Sequence, residues 1–547
     1  MTGFNLLREA WIPAVLMDGT RRNIGLADIM DPSVKGPDWP RPDFNLATWE
    51  FLIGFVQTAM APRTETDWCS GYHEPPSDRL KTAIAKYAPA FELVEGPARF
   101  MQEFAGELSA EKTANQMFFE APGDNTLKLN KDFFIKRGED VVLGLDVMAI
   151  ALFTRQIYEN GFGGGYRGTL RGPGAIVSLI RGENLWQSIW LNVAPAAADA
   201  PIDATVFPWL GPTKTSEKGT LPTLAQDIHP MQVFWPMPSR MMLDVEEGEW
   251  TCSMTGKTIT RGVRRFFTQQ YGINYEDEFR HPLSPFMKDA DKFRFRRGRE
   301  LTGSGSTYRS FADITLPYRE GSKNHPALVV ERYVSERRKN TTQSTRIVLS
   351  VSGFDFAQAN AKAFNQSQMP IFAFDGGQTD AKAIERKLGQ FQKTVDELIA
   401  AAESAKLTIH GAVLRACYGE PSSGKSGYNW KFGEKKSLYG STFGEQVEEE
   451  FWHSTESGFY ACVEQVFDAL NSDEKRERLI DIKLSWLKLL QQAGKRIFDE
   501  SADGSDFQQK SPKAIVLARQ EMTWFLNGTK IYESLGLQKP ETKKGAA

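Results

Sequence analysis

Only four cysteines occur in 547 residues, Cys69, Cys252, Cys417 and Cys462, and no two form a CxxC pair. Such spacing excludes the disulfide framework of small secreted domains and offers no thiol pair for zinc. Cys252, in the run Cys-Ser-Met-Thr-Gly-Lys, has no partner thiol near it. Histidine is equally sparse: six residues (His73, His229, His281, His325, His410 and His453), none at metal-ligand spacing from another. Neither HExxH nor GxSxG is present, so no zinc-protease helix and no serine-hydrolase elbow is written here. No metal, no cofactor and no catalytic residue is therefore expected. A long hydrophobic run is also missing. The nearest, Leu46–Met60, is interrupted by Thr48, Glu50 and Gln57 and falls short of the ~20 apolar residues of a membrane helix. The opening Met-Thr-Gly-Phe-Asn lacks a basic segment followed by an apolar one, so the chain reads as cytoplasmic, with no membrane partner. Finally, an excess of one charge is lacking: 66 Lys and Arg face 69 Asp and Glu, a net charge of −3. Any contact with nucleic acid must then be made by local patches rather than by the whole surface.

What is present is an ordinary globular composition, 41% apolar and 25% charged, in a chain long enough for two or three domains. Asn5–Val15 is an extended apolar-rich run, and Asp18-Gly19 is a hairpin turn joining it to Arg21–Leu26. Leu46–Met60 and Val141–Tyr158 read as buried helices, with a basic loop before the second carrying Lys128, Lys131, Lys136 and Arg137. From about 185 to 370, short strand-like segments (Ser188–Val193, Met231–Trp235, Arg346–Val351) alternate with Pro- and Gly-rich loops. After Asp375-Gly376-Gly377 the period changes to helical. Ile384, Leu388, Phe391, Val395 and Leu398 form one stripe; Val447, Phe451, Phe459, Val466 and Leu470 a second; Leu479, Ile482, Trp486, Leu489, Ala493 and Ile497 a third. A fourth helix is punctuated by Ser511 as N-cap, Pro512 at its first position and Gly528 beyond its end. The expectation is an α+β protein: a large mixed α/β N-terminal domain over 1–372, then an antiparallel four-helix bundle over 373–547.

Gly161-Phe162-Gly163-Gly164-Gly165-Tyr166-Arg167-Gly168 is the most unusual local sequence. Its glycines allow bare backbone to approach phosphates or a minor-groove floor, with Arg167 and Arg171 adding charge; a flexible turn after a helix explains the same composition. Gly419-Glu420-Pro421-Ser422-Ser423-Gly424-Lys425-Ser426 matches the phosphate-binding GxxxxGKS pattern, and so admits a P-loop nucleotide hydrolase as the rival reading. The preceding residues are helical, however, and Gly427-Tyr428-Asn429-Trp430 cannot open the helix that such a loop needs. A basic loop touching a DNA backbone, with Lys431, Lys435 and Lys436, fits better. Cations also cluster at Arg261, Arg264 and Arg265, at Lys292, Arg294, Arg296, Arg297 and Arg299, and at Arg332, Arg337, Arg338 and Lys339. Each is either a solvated face or a nucleic-acid surface.

Several ordered features together resemble the CasA-type large subunits of type I-E CRISPR Cascade. They are Asn5-Leu6-Leu7 with Trp11-Ile12-Pro13, the helix ending Ala61-Pro62, Ala151-Leu152-Phe153 before the glycine run, Leu170-Arg171-Gly172, Leu191-Asn192-Val193, Phe234-Trp235, His281-Pro282 with Ser284-Pro285, and Leu517-Ala518-Arg519. The resemblance implies a non-catalytic subunit of an RNA-guided surveillance complex that recognises a protospacer-adjacent motif in double-stranded DNA. It places the motif loop at Gly161, Phe162, Gly163, Gly164, Gly165 and Arg167. It implies a wedge at Gln358, flanked by Ala357 and Ala359, within Gly353-Phe354-Asp355-Phe356-Ala357-Gln358-Ala359. The family's minor-groove lysine has no clean counterpart, and Arg264 or Arg265 stands nearest. Phe118, Lys128 and Lys131 correspond to the region that docks on the guide RNA assembly, while Lys425, Lys431 and Lys435 are implied holders of the displaced strand. A helicase-nuclease effector is the implied partner that cuts.

Overall fold

A computed structural model describes residues 3–130, 141–161, 164–290, 292–301, 307–318, 321–338, 341, 347–357, 360–374, 381–424, 427–432, 435–472, 475–503 and 511–540. Two compact units result, Met1–Arg299 with Pro317–Ile371, and Glu300–Leu316 with Phe372–Ala547.

The first unit opens with strands β1 (Ile12–Leu16), β2 (Arg21–Ile24) and β3 (Val34–Pro37), a three-stranded antiparallel sheet with β1 at its centre. Asp18-Gly19 makes the expected turn, Gly19 taking φ +85° where a side chain would be strained. The start of the extended run instead folds back on itself, Arg8 and Glu9 N–H groups donating to the Asn5 carbonyl. Helix α1 (Pro42–Met60) is buried almost throughout, which is why its hydrophobic pattern reads as a run rather than a stripe. Phe51 on α1 is the hub of an aromatic core, edge-on to Trp11, Phe91, Phe100, Phe153 and Trp235 at 5.5–6.0 Å. Each fully buried ring of this kind contributes about 1.5–3 kcal/mol.

Helices α2 (Glu65–His73) and α3 (Ser77–Tyr87) follow, then β4 (Ala110–Thr113), the short α4 (Asp124–Lys128), β5 (Leu143–Gly144), and α5 (Leu145–Tyr158), which packs on α1. After β6 (Val177–Arg181) comes α6 (Leu185–Leu191), where a strand was expected at Ser188–Val193. A buried helix and a buried strand are both apolar on every side, so periodicity cannot separate them here. The local sequence decides it: the Asn184 side chain accepts from the Gln187 N–H at 2.9 Å as an N-cap, and Trp186 and Trp190 stack at helical spacing. Met231–Trp235 is likewise a 3-10 turn over Pro230–Phe234, initiated by a proline that no central strand would accept.

Long strands β7 (Arg240–Thr251) and β8 (Thr258–Gln269) pair, and β8 also carries β4 and β5. Strands β9 (Phe286–Asp289) and β10 (Lys292–Phe295) pair before the chain contributes α7 (Phe311–Thr315) to the other unit. It returns with β11 (Asn324–His325), α8 (Leu328–Arg332), β12 (Ile347–Ala357) and β13 (Asn360–Ile371). β12 sits between β6 and β13, but its pairing with β6 ends at Ser352, whereas its pairing with β13 continues to Ala357. The residues beyond 352 therefore form a two-stranded arm.

The second unit is helical, with α9 (Ala381–Tyr418), α10 (Lys435–Leu470), α11 (Lys475–Asp503) and α12 (Pro512–Leu526) packed together, and the short α13 (Thr529–Ser534) against α9. The predicted stripes are the buried faces: Phe391, Val395 and Leu398 on α9, Phe451, Phe459 and Val466 on α10, Trp486 and Ile497 on α11. Trp486 Nε1 donates to the Leu398 carbonyl at 2.9 Å, so the one polar atom of that ring is satisfied. Nothing in the sequence signals that Glu300–Leu316 joins this unit. Tyr308 explains it: the ring is fully buried, stacked 4.5 Å from Phe459, and its hydroxyl shares a 2.8 Å hydrogen bond with Thr455. Between α9 and α10 lies a hairpin, β14 (Gly419–Gly424) with β15 (Gly427–Phe432).

Candidate nucleic-acid interface

The glycine run leaves the end of α5 and closes as a ring. Asn160 bridges Gly168, and the Thr169 N–H donates to the Glu159 carbonyl at 2.8 Å. Closure at this distance requires Gly161. Its φ is +64°, and a Cβ there would stand 2.2 Å from the Gly168 nitrogen. Gly165 is pressed on by Tyr271, whose N–H donates to the Gly165 carbonyl at 2.9 Å and whose ring would lie 2.7 Å from an added Cβ. Those two glycines are thus explained by packing, not by looseness. Gly164 is exposed at φ +56°, whereas Phe162 and Gly163 lie outside the described residues. Arg167 is half-buried and already engaged: Nε donates to Ser216 Oγ at 2.7 Å and a terminal nitrogen to the Ser216 carbonyl at 2.8 Å.

Arg171 does not lend charge to this loop, contrary to expectation. It is 5% exposed and forms a 2.8 Å ion pair with Glu50 of α1. Tyr158 donates its hydroxyl to the same carboxylate, and Arg171 also donates to Ser284 Oγ at 3.3 Å. Burial, with the Glu50 charge next, holds the Tyr158 hydroxyl well above its usual range and hence protonated. His281 stands 3.8 Å from Glu50, yet burial and the Arg171 charge push its imidazole well below the usual value. Its Nδ1 accepts from the Leu283 N–H at 3.3 Å, as a neutral ring must. Both ends of the glycine ring are therefore tied to one buried ion pair.

Phe118 is half-buried beside Phe44, with the Arg41 guanidinium 4.7 Å from its ring centre. Its neighbour Phe119 is buried against Phe354 and Phe356 of the β12 arm, at 5.1 and 5.3 Å. The Arg155 guanidinium also packs on Phe119, 4.7 Å from its ring centre, and is ion-paired to Glu159 at 2.7 Å. A cleft of about 570 Å³ results; of the candidate residues named from the sequence Phe118 lines it directly, while the glycine ring, the arm and β8 reach it through neighbouring residues. Its walls include Phe118, Phe119, Ala121, Pro122, Gly123 and Thr126 before Lys128, Glu159, Asn160 and Tyr166 of the glycine ring, Phe266 and Thr268 of β8, and Asn360 of the arm. Lys128 is exposed, and Lys131 lies outside the described residues. Ala357 pairs with Asn360 at the end of the arm, while Gln358 and Ala359 lie outside the described residues. Sequence reasoning missed Arg155, Tyr166 and Asn360; only Arg155–Glu159, four apart on a helix, left a readable trace.

The proposed minor-groove cations are on β8, next to the cleft wall. Arg265 is exposed and pairs with Asp244 at 2.6 Å; Arg264 lies 3.8 Å from Glu246. Neither charge is bare, so a phosphate must displace a carboxylate to be bound there. In the second basic cluster Arg294 is exposed but Arg296 is buried at 6%, and in the third Arg337 is buried at 1% in a pair with Glu65. Those two are core cations rather than surface ones.

The GxxxxGKS match is not a phosphate loop. A strand must enter such a loop and a helix must start at its lysine, so that free amides converge on the anion. Here the 38-residue helix α9 enters, Gly424 pairs with Gly427 across a hairpin, and the next helix starts only at Lys435. Lys425 and Ser426 lie outside the described residues, as does the Lys435 side chain; Lys431 is exposed opposite Glu420. Isothermal titration of Mg-ATP is expected to give no specific heat with either the wild-type chain or Lys425→Ala. Saturable binding abolished by the substitution would restore the P-loop reading.

Comparison of the sequence with known families matches residues 5–497 to the family described as CRISPR-associated protein Cse1. The chain belongs to the Cse1 family. Cse1 from Acidimicrobium ferrooxidans has the same fold, with a TM-score of 0.69 at 16% identity over 99% of this chain and 100% of its own. CasA from Thermus thermophilus gives a TM-score of 0.67 at 17% identity, over 96% and 99% of the two chains. A chain of a CRISPR RNA-guided surveillance complex gives 0.66 at 13% identity, over 96% and 100%. At such identities the likeness is one of fold. Within this Cse1-family chain, no three or more His, Cys, Asp or Glu residues among those described are placed to hold a metal ion. Nor is any described helix long and apolar enough to cross a membrane.

Proposed function

We propose that this chain is the non-catalytic, target-sensing subunit of a type I-E RNA-guided surveillance complex. It recognises a short protospacer-adjacent motif in duplex DNA at the glycine ring, with Arg264 and Arg265 as groove cations. It starts strand separation with Gln358 between Ala357 and Ala359. Phe118, Lys128 and Lys131 dock on the guide RNA assembly, Lys425, Lys431 and Lys435 hold the displaced strand, and a helicase-nuclease recruited to the complex does the cutting.

The observation that carries this reading is the shared cleft. Residues of the glycine ring, of the β12–β13 arm, of the segment leading into the basic loop and of β8 all line it, although they are spread from Lys112 to Asn360 in sequence. Membership in the Cse1 family and the fold shared with a chain of a surveillance complex support the assembly. The physical chemistry suits it as well. The minor groove distinguishes little more than A·T from G·C, so backbone and a few cations read a short, tolerant motif. Guide-RNA pairing supplies the rest of the specificity.

Gly161→Ala tests the reading. The added methyl cannot coexist with the Asn160–Gly168 closure, so the ring must open. In the assembled complex, affinity for motif-bearing duplex should fall roughly ten-fold, the value of one misread base pair, with motif-free duplex unaffected. Unaltered motif preference would remove the ring from the recognition site.

A further inference from the structure

The small sheet of β10, β9 and β11 is not used by the function just proposed. Its register sets Phe286 opposite both Phe295 and His325. On that face three rings form a column: the His325 imidazole lies 4.4 Å from Phe286 at an interplanar angle of 8°, and 4.3 Å from Tyr318 at 2°. Nearly parallel planes at these centroid separations are the offset-stacked geometry that aromatic rings favour, so the column is well held. Among the described residues the column ends at Tyr318, which is 40% exposed and the most exposed aromatic side chain of this unit. Cations stand along and beside the same strands: Arg280 lies 4.1 Å from the Phe286 ring centre, and Lys288 and Lys323, two residues on from Phe286 and before His325, are joined by a 2.8 Å backbone hydrogen bond. Lys288 and Arg280 both face Glu278, at 2.9 and 3.8 Å, and Lys323 pairs with Asp289 at 2.7 Å. In these pairs, among the described residues, three positive groups meet two carboxylates. The His325 imidazole adds no charge of its own: burial first, then Arg280 and Lys288, holds it below its usual value.

We propose that Tyr318 is a stacking platform for one unpaired nucleobase of a single-stranded nucleic acid, whose flanking phosphates meet Lys288 and Lys323. An exposed ring at the end of a rigid column offers a flat apolar face to a base, and every base has such a face. A duplex does not fit, because its bases are covered on both sides by their neighbours. Displaced DNA and RNA carry the same chemistry. The contact involves neither the glycine ring nor the arm, so its success or failure is independent of motif recognition.

The test uses the full chain and fluorescein-labelled strands of about 15 nucleotides, the upper range of a stacking site: oligothymidylate, oligouridylate and an abasic strand of equal length. Tyr318→Ala should weaken binding of a base-bearing strand about ten-fold while leaving the abasic strand unchanged. Tyr318→Phe, which keeps the ring and controls for folding, should bind as wild type does. A larger effect on oligothymidylate assigns the site to displaced DNA, and a larger effect on oligouridylate to RNA. The proposal is overturned if wild type binds no base-bearing strand better than the abasic one, if Tyr318→Ala binds like wild type, or if Tyr318→Phe fails as Tyr318→Ala does.

Discussion

A complex carrying Gln358→Ala should open duplex targets about a hundred-fold more slowly than wild type, yet bind pre-opened targets with unchanged affinity. Separating the first base step costs about a few kcal/mol of stacking, and a side chain inserted into the gap offsets that cost only while the gap forms. A few kcal/mol corresponds to about a hundred-fold in rate. The substitution should leave the arm itself intact, because its base is held elsewhere. Phe354 is buried against Phe119, Tyr158 and Phe364, and β12 pairs with β13 up to Ala357. The measurement is the rate of strand opening, followed by base-analogue fluorescence, on duplex targets and on targets with mismatches next to the motif. Equal slowing on both substrates would mean that Gln358 serves binding or assembly and not the opening of the helix.

The largest expected loss of stability comes from Glu50→Ala. It leaves the Arg171 guanidinium, with a side chain 2% exposed, facing no carboxylate, and takes away the acceptor of the Tyr158 hydroxyl. Removing one partner of a buried ion pair destabilises by about 3–5 kcal/mol, since the remaining charge keeps its desolvation penalty without its attraction. Denaturant unfolding followed by tryptophan fluorescence should report that loss. The double replacement Glu50→Leu with Arg171→Met should cost less, because no buried charge is stranded. If Glu50→Ala alone were no worse than the double replacement, the pair would not be what ties the glycine ring to α1.

The helical unit was largely legible in the sequence. Its stripes at Phe391, Val395 and Leu398, or at Phe451, Phe459 and Val466, repeat at a period that only one backbone geometry can present to a core. The Ser511-Pro512 start was legible for a similar reason, since it depends on atoms within one turn. Legibility failed where a segment is apolar on all sides. Leu185–Leu191 is buried from every direction and so carries no phase that separates helix from strand. For GxxxxGKS the flanking residues were legible where the pattern alone misleads: a helix precedes it, and the run after it opens no helix. Tyr308 illustrates a second limit, a single buried aromatic assigning a connecting segment to a unit distant in sequence.

By itself the sequence determined the classes of chemistry open to this protein. With four scattered cysteines, six scattered histidines and near-balanced charge, it ruled out a disulfide framework and a wholly basic surface, and it singled out the glycine run as unusual. It could not say which cations are available. Arg171, Arg296 and Arg337 read like any other arginines, and only the fold shows them buried and engaged, while Lys128 and Lys431 face solvent. Nor could it show that the glycine ring, the arm and the Phe118 segment share a cleft. Composition and period are properties of neighbouring residues, whereas burial, ion pairing and the meeting of distant loops arise only when the chain closes on itself.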